Sequence, residues 1–360
     1  MRKLQSLFIG VVAIILLLTF LVVRLNHSSN ASSKVLNIYN WGDYIDPELI
    51  KQFEKEYGYK VNYETFDSNE AMEAKIKQGG TAYDIAIPSE YMIQKMKKEK
   101  LLLPLDHSKI QGLENIDPRF LDLDFDRDNT YSIPYFWGTL GIVYNDKFVS
   151  GDKIQHWNDL WRPELKNNIM LIDGAREVMG LSLTTLGYSI NSKNMTQLNQ
   201  AIKKLSSLTP NVKAIVADEI KMYMANEESA VAVTFSGEAA DMMSENEHLH
   251  YVIPPEGSNL WFDNIVIPKT SKNQEGAYDF INFMLKPEVA KQNAEYIGYS
   301  TPNKKALTML PKSISGDKQF YPDDETISHL EVYKDLGPEY LGIYNDLYLE
   351  FKMYLSLIHI

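Results

Sequence analysis

Residues 35–48 read Val35-Leu36-Asn37-Ile38-Tyr39-Asn40-Trp41-Gly42-Asp43-Tyr44-Ile45-Asp46-Pro47-Glu48, an apolar run, a turn and a helix start in direct succession. Val35–Asn40 has the length and β-branched content of a strand. Asp46 then offers an N-cap oxygen, Pro47 suits the first helical position, and Glu48 places an acid in the first turn. Leu49, Ile50, Phe53 and Tyr57 give the apolar stripe of that helix, and Gly58 stops it. A strand leading through a tight turn into a capped helix is the unit of an α/β layer.

The same unit recurs outward. Lys60–Phe66 alternates as a strand, Asn69–Gln78 is a helix closed by Gly79-Gly80, and Tyr83–Ile87 is a strand closed by Pro88-Ser89. Glu90–Lys98 reads as a short basic helix. Tyr131–Tyr144 holds two strand-like pieces around Gly138 and Gly141. A second set begins with a strand at Asn168–Ile172, helices at Arg176–Leu186 and Thr196–Ser207, and strands at Ala230–Phe235 and Leu249–Ile253. Ile265–Ile267 returns to strand, with Trp261 and Asp263 just before it. Helices follow at Glu275–Leu285, Pro287–Ile297 and Pro338–Lys352. Two α/β sets without a Gly/Ser/Pro-rich tether predict lobes joined by extended strands. No fixed-period repeat is present. Ligands of open α/β sheets sit beyond the carboxyl ends of strands, and Trp41, Ser89, Asp173 and Phe235 all fall there.

Composition narrows the class. The 360 residues suffice for two cores, and 44% hydrophobic with 23% charged content is that of a globular protein. Arg2, Lys3 and Arg24 are the only charged residues before Ala31, so the rest carries 33 basic and 48 acidic residues, a net −15. Such a surface repels nucleic acid. Arg2-Lys3, the apolar run Leu7–Val23 and a polar exit mark residues 1–33 as a signal peptide or membrane anchor. The protein is therefore expected to be exported, to the outer face of the cytoplasmic membrane, the periplasm or the cell surface. The absence of cysteine excludes disulfides, thiolate metal sites and a lipidated cysteine. The apolar end Leu355–Ile360 breaks the charged pattern before it and is set apart as an atypical tail.

Three segments pair a tryptophan with an aspartate two residues on: Trp41-Gly42-Asp43, Trp157-Asn158-Asp159 and Trp261-Phe262-Asp263. An indole face attracts a cation through its quadrupole and a carboxylate through full charge. Together they suit an organic ammonium. The alternatives are structural: Trp41 as core, Asp43 as a turn residue, Asp173 as a helix cap, Glu177 as an exposed acid at a helix start. Trp157–Trp161 is read as packing a short helix and is left out of the site.

Five segments occur in a recognisable order: Asn40-Trp41-Gly42-Asp43-Tyr44-Ile45, Pro88-Ser89-Glu90-Tyr91, Asp173-Gly174-Ala175-Arg176-Glu177, Trp261-Phe262-Asp263 and Ile297-Gly298-Tyr299-Ser300-Thr301-Pro302-Asn303. Over residues 34–352 the chain resembles the spermidine/putrescine-binding proteins of bacterial ABC importers. The resemblance implies a two-lobed, periplasmic-binding-protein-like (type II) α/β fold with two crossover strands and a ligand cleft between the lobes. Residues 34–141 plus 264–315 would form lobe 1, and 142–263 plus 316–354 lobe 2. It implies a box of Trp41, Tyr44, Tyr91, Phe235, Trp261 and Tyr299, with Asp43, Glu177 and Asp263 holding amines and Ser89 a polar contact. Asp173 and Tyr333 complete the candidate set. The chain departs from the family at Gly42 (often Thr), Phe235 (often Trp), Asp173-Gly174 (often Asp-Asp) and Tyr333 (often a polar amide). The implied partners are a polyamine and membrane permease subunits, with no cofactor, metal or nucleic acid, and a monomeric state.

Other classes find less support. No Gly-x-Ser-x-Gly elbow, phosphate loop, His-Glu-x-x-His or cysteine nucleophile is present. His248 and His250 share a strand face but lack nearby acids at ligand spacing. A ferric-ion or sugar receptor of the same build, an enzyme with an unrecognised site, and a surface sensor or adhesin are the remaining alternatives. Against iron, none of the 22 tyrosines is adjacent to another.

Overall fold

A computed structural model describes residues 34–217 and 219–358. The expected signal or anchor, residues 1–33, lies outside the described residues. No described helix is long and apolar enough to cross a membrane.

The chain opens with β1 (Val35–Trp41), α1 (Pro47–Tyr57), β2 (Lys60–Phe66), α2 (Asn69–Gln78), β3 (Ile85–Ala86), α3 (Glu90–Lys98) and β4 (Ser132–Asn145). It continues with β5 (Ile169–Ile172), α4 (Ala175–Thr185), α5 (Met195–Leu208), β6 (Val212–Val216), α6 (Ile220–Ala225), β7 (Val231–Phe235), α7 (Ser236–Glu245), β8 (Leu249–Val252) and β9 (Leu260–Val266). Six further helices close it among the described residues: α8 (Gln274–Met284), α9 (Pro287–Ile297), α10 (Lys304–Met309), two short ones at Lys312–Ser315 and Asp324–Ser328, and the long Gly337–Ile358. The first unit folds as its residues dictate. Asp46 caps α1 by accepting from the Glu48 N–H at 2.9 Å, and Gly58 ends it in the left-handed region at φ 76°.

The described strands line up as β2-β1-β3-β9-β4-β7-β5-β6, with β8 on β4. β1 runs parallel to β2 and β3, and β5 parallel to β6 and β7, so each half is an α/β layer. β4 joins them: Ser132–Thr139 pair with β9, and Leu140–Asn145 pair with β7 and β8. β9 returns antiparallel to it. These are the two crossover strands. A third segment runs beside them, since the Leu260 N–H donates to Glu331 C=O and the Glu331 N–H to Ser258 C=O, both at 2.9 Å.

Each half buries its own core. One runs from Leu36 through Trp137 and resumes at Leu260–Phe262 and Ile265–Ile267; the other runs from Leu140 through Tyr251 and takes up Leu336, Tyr344, Tyr348, Phe351 and Leu355. The cores thus change over at Thr139/Leu140 and Asn259/Leu260, where the sequence suggested 141/142 and 263/264. The last helix carries on past the expected break: it reaches Ile358, and Leu355 is a buried core residue.

Two further differences have a physical cause. β4 is one 14-residue strand, not two pieces. A Cβ at Gly138 would collide with Ser236 and the Trp261 indole, and one at Gly141 with Tyr251. These glycines admit close neighbours across the sheet rather than break it. β9 begins at Leu260, so Trp261 and Asp263 lie inside the strand; its burial on both faces removes the alternation that would have marked it.

Candidate ligand-binding site

The site forms where Pro88–Glu90, at the carboxyl end of β3, is zipped to Phe262–Asn264 of β9. Ser89 and Asp263 form an antiparallel bridge, and the Asn264 N–H donates to Pro88 C=O at 3.0 Å. Ser89 Oγ donates to Asp263 Oδ1 at 2.6 Å, and Tyr44 Oη to Asp263 Oδ2 at 2.7 Å. Asp263 is 7% exposed. Burial raises its carboxyl pKa to about 6, against the pull of the two hydroxyls. Among the described residues it has no ion-pair partner.

Aromatic rings surround this carboxylate. Tyr44 and Tyr299 meet edge to face at 5.3 Å, Trp261 and Tyr299 at 5.3 Å, and Phe235 and Trp261 at 6.2 Å between ring centres. Phe235 ends β7 in the second half, whereas Trp261 and Tyr44 pack in the first. Tyr299 bridges the two: its ring covers Gly237, where a Cβ would overlap it, and its hydroxyl donates to Glu238 Oε1 at 3.0 Å. The box therefore spans the cleft.

A second acidic end lies at the start of α4. Glu177 folds its carboxylate back against Gly174, into the space a Cβ there would take. Burial raises its pKa, partly offset by its own N–H, by Arg176 and by Tyr333. Tyr333, on the third crossing segment, is buried under the Arg176 guanidinium at 4.2 Å from its ring centre. Its hydroxyl faces Glu177 without a hydrogen bond of ordinary geometry. Tyr91 accepts from Asn69 Nδ2 at 3.1 Å and donates to Glu70 at 3.2 Å, and it also feels Glu177. Asn69 ties Tyr91 to Ser89 by donating to Ser89 Oγ at 3.0 Å.

Tyr44, Ser89, Phe235, Trp261, Asp263 and Tyr299 thus form one contiguous group, and Tyr91, Glu177 and Tyr333 a second. Trp41 is half-buried against Phe66 at 4.5 Å, with its Nε1 enclosed and unpartnered among the described residues. Asp43 is exposed on the turn after it, at φ 47°. Asp173 is not gathered with the others. It is exposed, it accepts from Tyr348 at 2.7 Å and Lys352 at 2.9 Å on the last helix, and it makes no cap bond to α4.

Three acids and a base join the group that sequence reading left without a role. Glu90 is fully buried, and its Oε2 accepts the Phe262 N–H at 2.9 Å. Glu90 and Arg176 sit inside the quoted segments, flanked by assigned residues, so position was the available signal. Glu70 and Glu238 carried none, because their partners Tyr91 and Tyr299 come from remote segments. Of the excluded features, Trp157 is buried in the second core with Asp159 capping its turn. His248 and His250 do have an acid: Asp146 bonds both, at 2.8 and 2.9 Å, brought across from the end of β4.

A desolvated aromatic box with acids at both ends, set between two α/β halves joined by crossing strands, is the architecture of a solute receptor. The chain belongs to the bacterial extracellular solute-binding proteins, whose family pattern matches residues 48–322. It is 40% identical over 334 residues to a spermidine/putrescine-binding periplasmic protein of Salmonella typhimurium, covering 92% of this chain and 95% of that one. Its structure is similar to the spermidine/putrescine ABC transporter substrate-binding protein PotD from Streptococcus pneumoniae, with a TM-score of 0.83 and 64% identity over 89% of this chain and 99% of that chain. A putative spermidine/putrescine ABC transporter from Listeria monocytogenes matches at TM-score 0.85, also with 64% identity and coverage of 89% and 99%.

Proposed function

We propose that this protein captures a linear polyamine, spermidine or putrescine, in the cleft between its lobes and delivers it to an ABC permease. The observation that carries this reading is Asp263: a carboxylate buried among Tyr44, Trp261, Tyr299 and Phe235, hydrogen-bonded only by neutral hydroxyls. A desolvated acid of that kind is stabilised by an incoming cation, and the rings around it suit methylenes and ammonium alike. Glu177, with Tyr91 and Tyr333, supplies the second acid an elongated dication requires. Cation–π contacts contribute roughly 0.5–2 kcal/mol each. Two such ends with covered methylenes are consistent with micromolar binding, roughly −8 kcal/mol. The names of the relatives support the same ligand class.

The mechanism is capture by closure. Trp261, Asp263 and Tyr44 belong to one half; Glu177 and Phe235 belong to the other. A ligand touching both favours the closed arrangement, in which Tyr299 meets Glu238 and Lys98 meets Asp335 at 2.6 Å. The closed form is what the permease recognises. The protein acts outside the cytoplasmic membrane, as a monomer, and returns its ligand unchanged rather than as an enzyme.

Titration calorimetry with putrescine, spermidine, spermine and a ferric chelate tests the reading. Polyamine binding that survives EDTA is the expected result. Binding of the ferric chelate alone would sink the polyamine assignment.

A further inference from the structure

The zipper that builds the site buries two carboxylates side by side. Ser89 bonds Asp263 while its neighbour Glu90 bonds the Phe262 N–H, so the 89/90 and 262/263 pairs are locked in register. Glu90 is 0% exposed, and its second oxygen has no partner among the described residues. The groups facing Glu90 are Asp263 on β9, Arg176 on α4, Tyr333 on the third crossing segment and Tyr91 on its own helix. Glu177 faces Tyr91 and Tyr333 in turn, and Glu70 on α2 faces both Tyr91 and Glu177. Glu73 of α2 is paired with Lys95, at 2.9 Å. Among the described residues facing Glu90, Arg176 is the cation, and it is committed: it donates to Asn191 at 2.9 Å and Lys334 C=O at 3.3 Å and lies over the Tyr333 and Tyr344 rings.

Adjacent buried acids with so little positive charge nearby do not all ionise. We propose that Glu90 is a proton-holding residue of the ligand site, protonated in the free protein and giving that proton to solvent when a cationic ligand docks beside Asp263. Burial as the dominant cause, with Asp263 adding to it, raises the Glu90 carboxyl to about 8, while Asp263 itself stays near 6. At pH 7 the stored proton therefore sits on Glu90. An ammonium group favours the ionised carboxylate, so the O–H bond of Glu90 breaks, the electron pair remains on oxygen, and the proton passes to buffer. The ligand enters as a cation, and the site compensates with a charge it did not hold before. Capture is thereby selective for charge over shape, and affinity rises with pH between 7 and 8, by up to tenfold per pH unit for one proton released.

This rests on the polyamine reading, and spermidine is the probe. Calorimetry at pH 7 in phosphate and in Tris, buffers of small and large ionisation heat, should differ by about one proton per spermidine bound. Glu90→Gln keeps an acceptor for the Phe262 N–H. It should abolish the buffer difference and leave affinity flat between pH 7 and 8. No buffer difference in the wild type, or the same difference in Glu90→Gln, overturns the proposal. Infrared difference spectra of the wild type require no variant: adding spermidine should exchange a protonated-carboxyl C=O band for carboxylate bands, and unchanged bands overturn it equally. If spermidine does not bind, the polyamine reading fails instead. The protein alone then decides, since a protonated-carboxyl band present at pH 7 and lost by pH 9 supports the stored proton and its absence rejects it.

Discussion

Trp41-Gly42-Asp43 and Trp261-Phe262-Asp263 share a pattern and differ in almost everything the pattern does not specify. The first follows β1 as a turn: Asp43 is exposed at a positive φ, and Trp41 is half-buried against Phe66. The second lies inside β9, buried on both faces, with Asp263 held by two hydroxyls and its pKa raised by burial. A carboxylate in water is already solvated, so a cation gains little from it. A buried one is unsatisfied until the cation arrives. On the proposed polyamine reading, burial, not sequence spacing, decides which acid of the two contributes more to binding.

The sharpest way to break this contrast is Asp263→Asn. It should weaken spermidine binding at least tenfold, about 1.4 kcal/mol. It should also stabilise the free protein. Asp263 has a folded-state pKa near 6, above the ordinary 3.8. Its contribution to stability is full below about pH 4 and is lost as pH rises through about 6. At pH 8 the variant should therefore be more stable than wild type by about 1–3 kcal/mol, with the gap closing towards pH 4. Urea midpoints across that range measure it. An unchanged calorimetric titration would remove Asp263 from the site.

Next comes Trp41→Ala, which tests whether the half-buried indole is wall or core. Loss of one cation–π face, about 1 kcal/mol, predicts roughly fivefold weaker binding. It should also take away part of the ligand-induced fluorescence change, because Trp137 and Trp157 are sealed in the cores. A full fluorescence response with lowered thermal stability would assign Trp41 to packing.

Gly174→Ala probes the far end. Its Cβ falls where the Glu177 carboxylate lies, so Glu177 must swing away from its place near Arg176 and Tyr333. A roughly threefold loss of spermidine affinity with little change in stability is expected. An equal loss in Glu177→Gln and in the double variant would show that glycine acts through Glu177, since coupled sites are not additive.

How far the sequence carried these distinctions depends on whether a property is local. Asp46-Pro47-Glu48 and Gly58 fixed α1 because capping uses only neighbours. The Trp261 segment misled as to its element, since a doubly buried strand shows no alternation. Gly138 and Gly141 read as breaks because the side chains they admit, Trp261 and Tyr251, arrive from more than a hundred residues away. Tyr44, Ser89, Phe235, Trp261, Asp263 and Tyr299 lie together in the structure, and all but Phe235 stand in the ordered segments. Asp173 did not join them, because Tyr348 and Lys352 on the last helix claim it. Glu90 was in plain view, yet nothing in the sequence reports that a carboxylate is wholly desolvated.

The smallest expected effect belongs to the other half of the opening contrast. Asp43→Asn removes a charge on the exposed turn after β1, where water and salt already screen it. Spermidine affinity should fall only about twofold at low ionic strength, an amount typical of an exposed ion pair. Because the Debye length shortens from ~10 Å at 0.1 M to ~3 Å at 1 M salt, that difference should vanish at high salt, while the Asp263→Asn deficit persists. An Asp43→Asn loss as large and as salt-resistant as that of Asp263→Asn would mean that ligand binding buries Asp43 too. The turn after β1 would then have to close over the ligand, and the difference between the two segments would belong to the free protein alone.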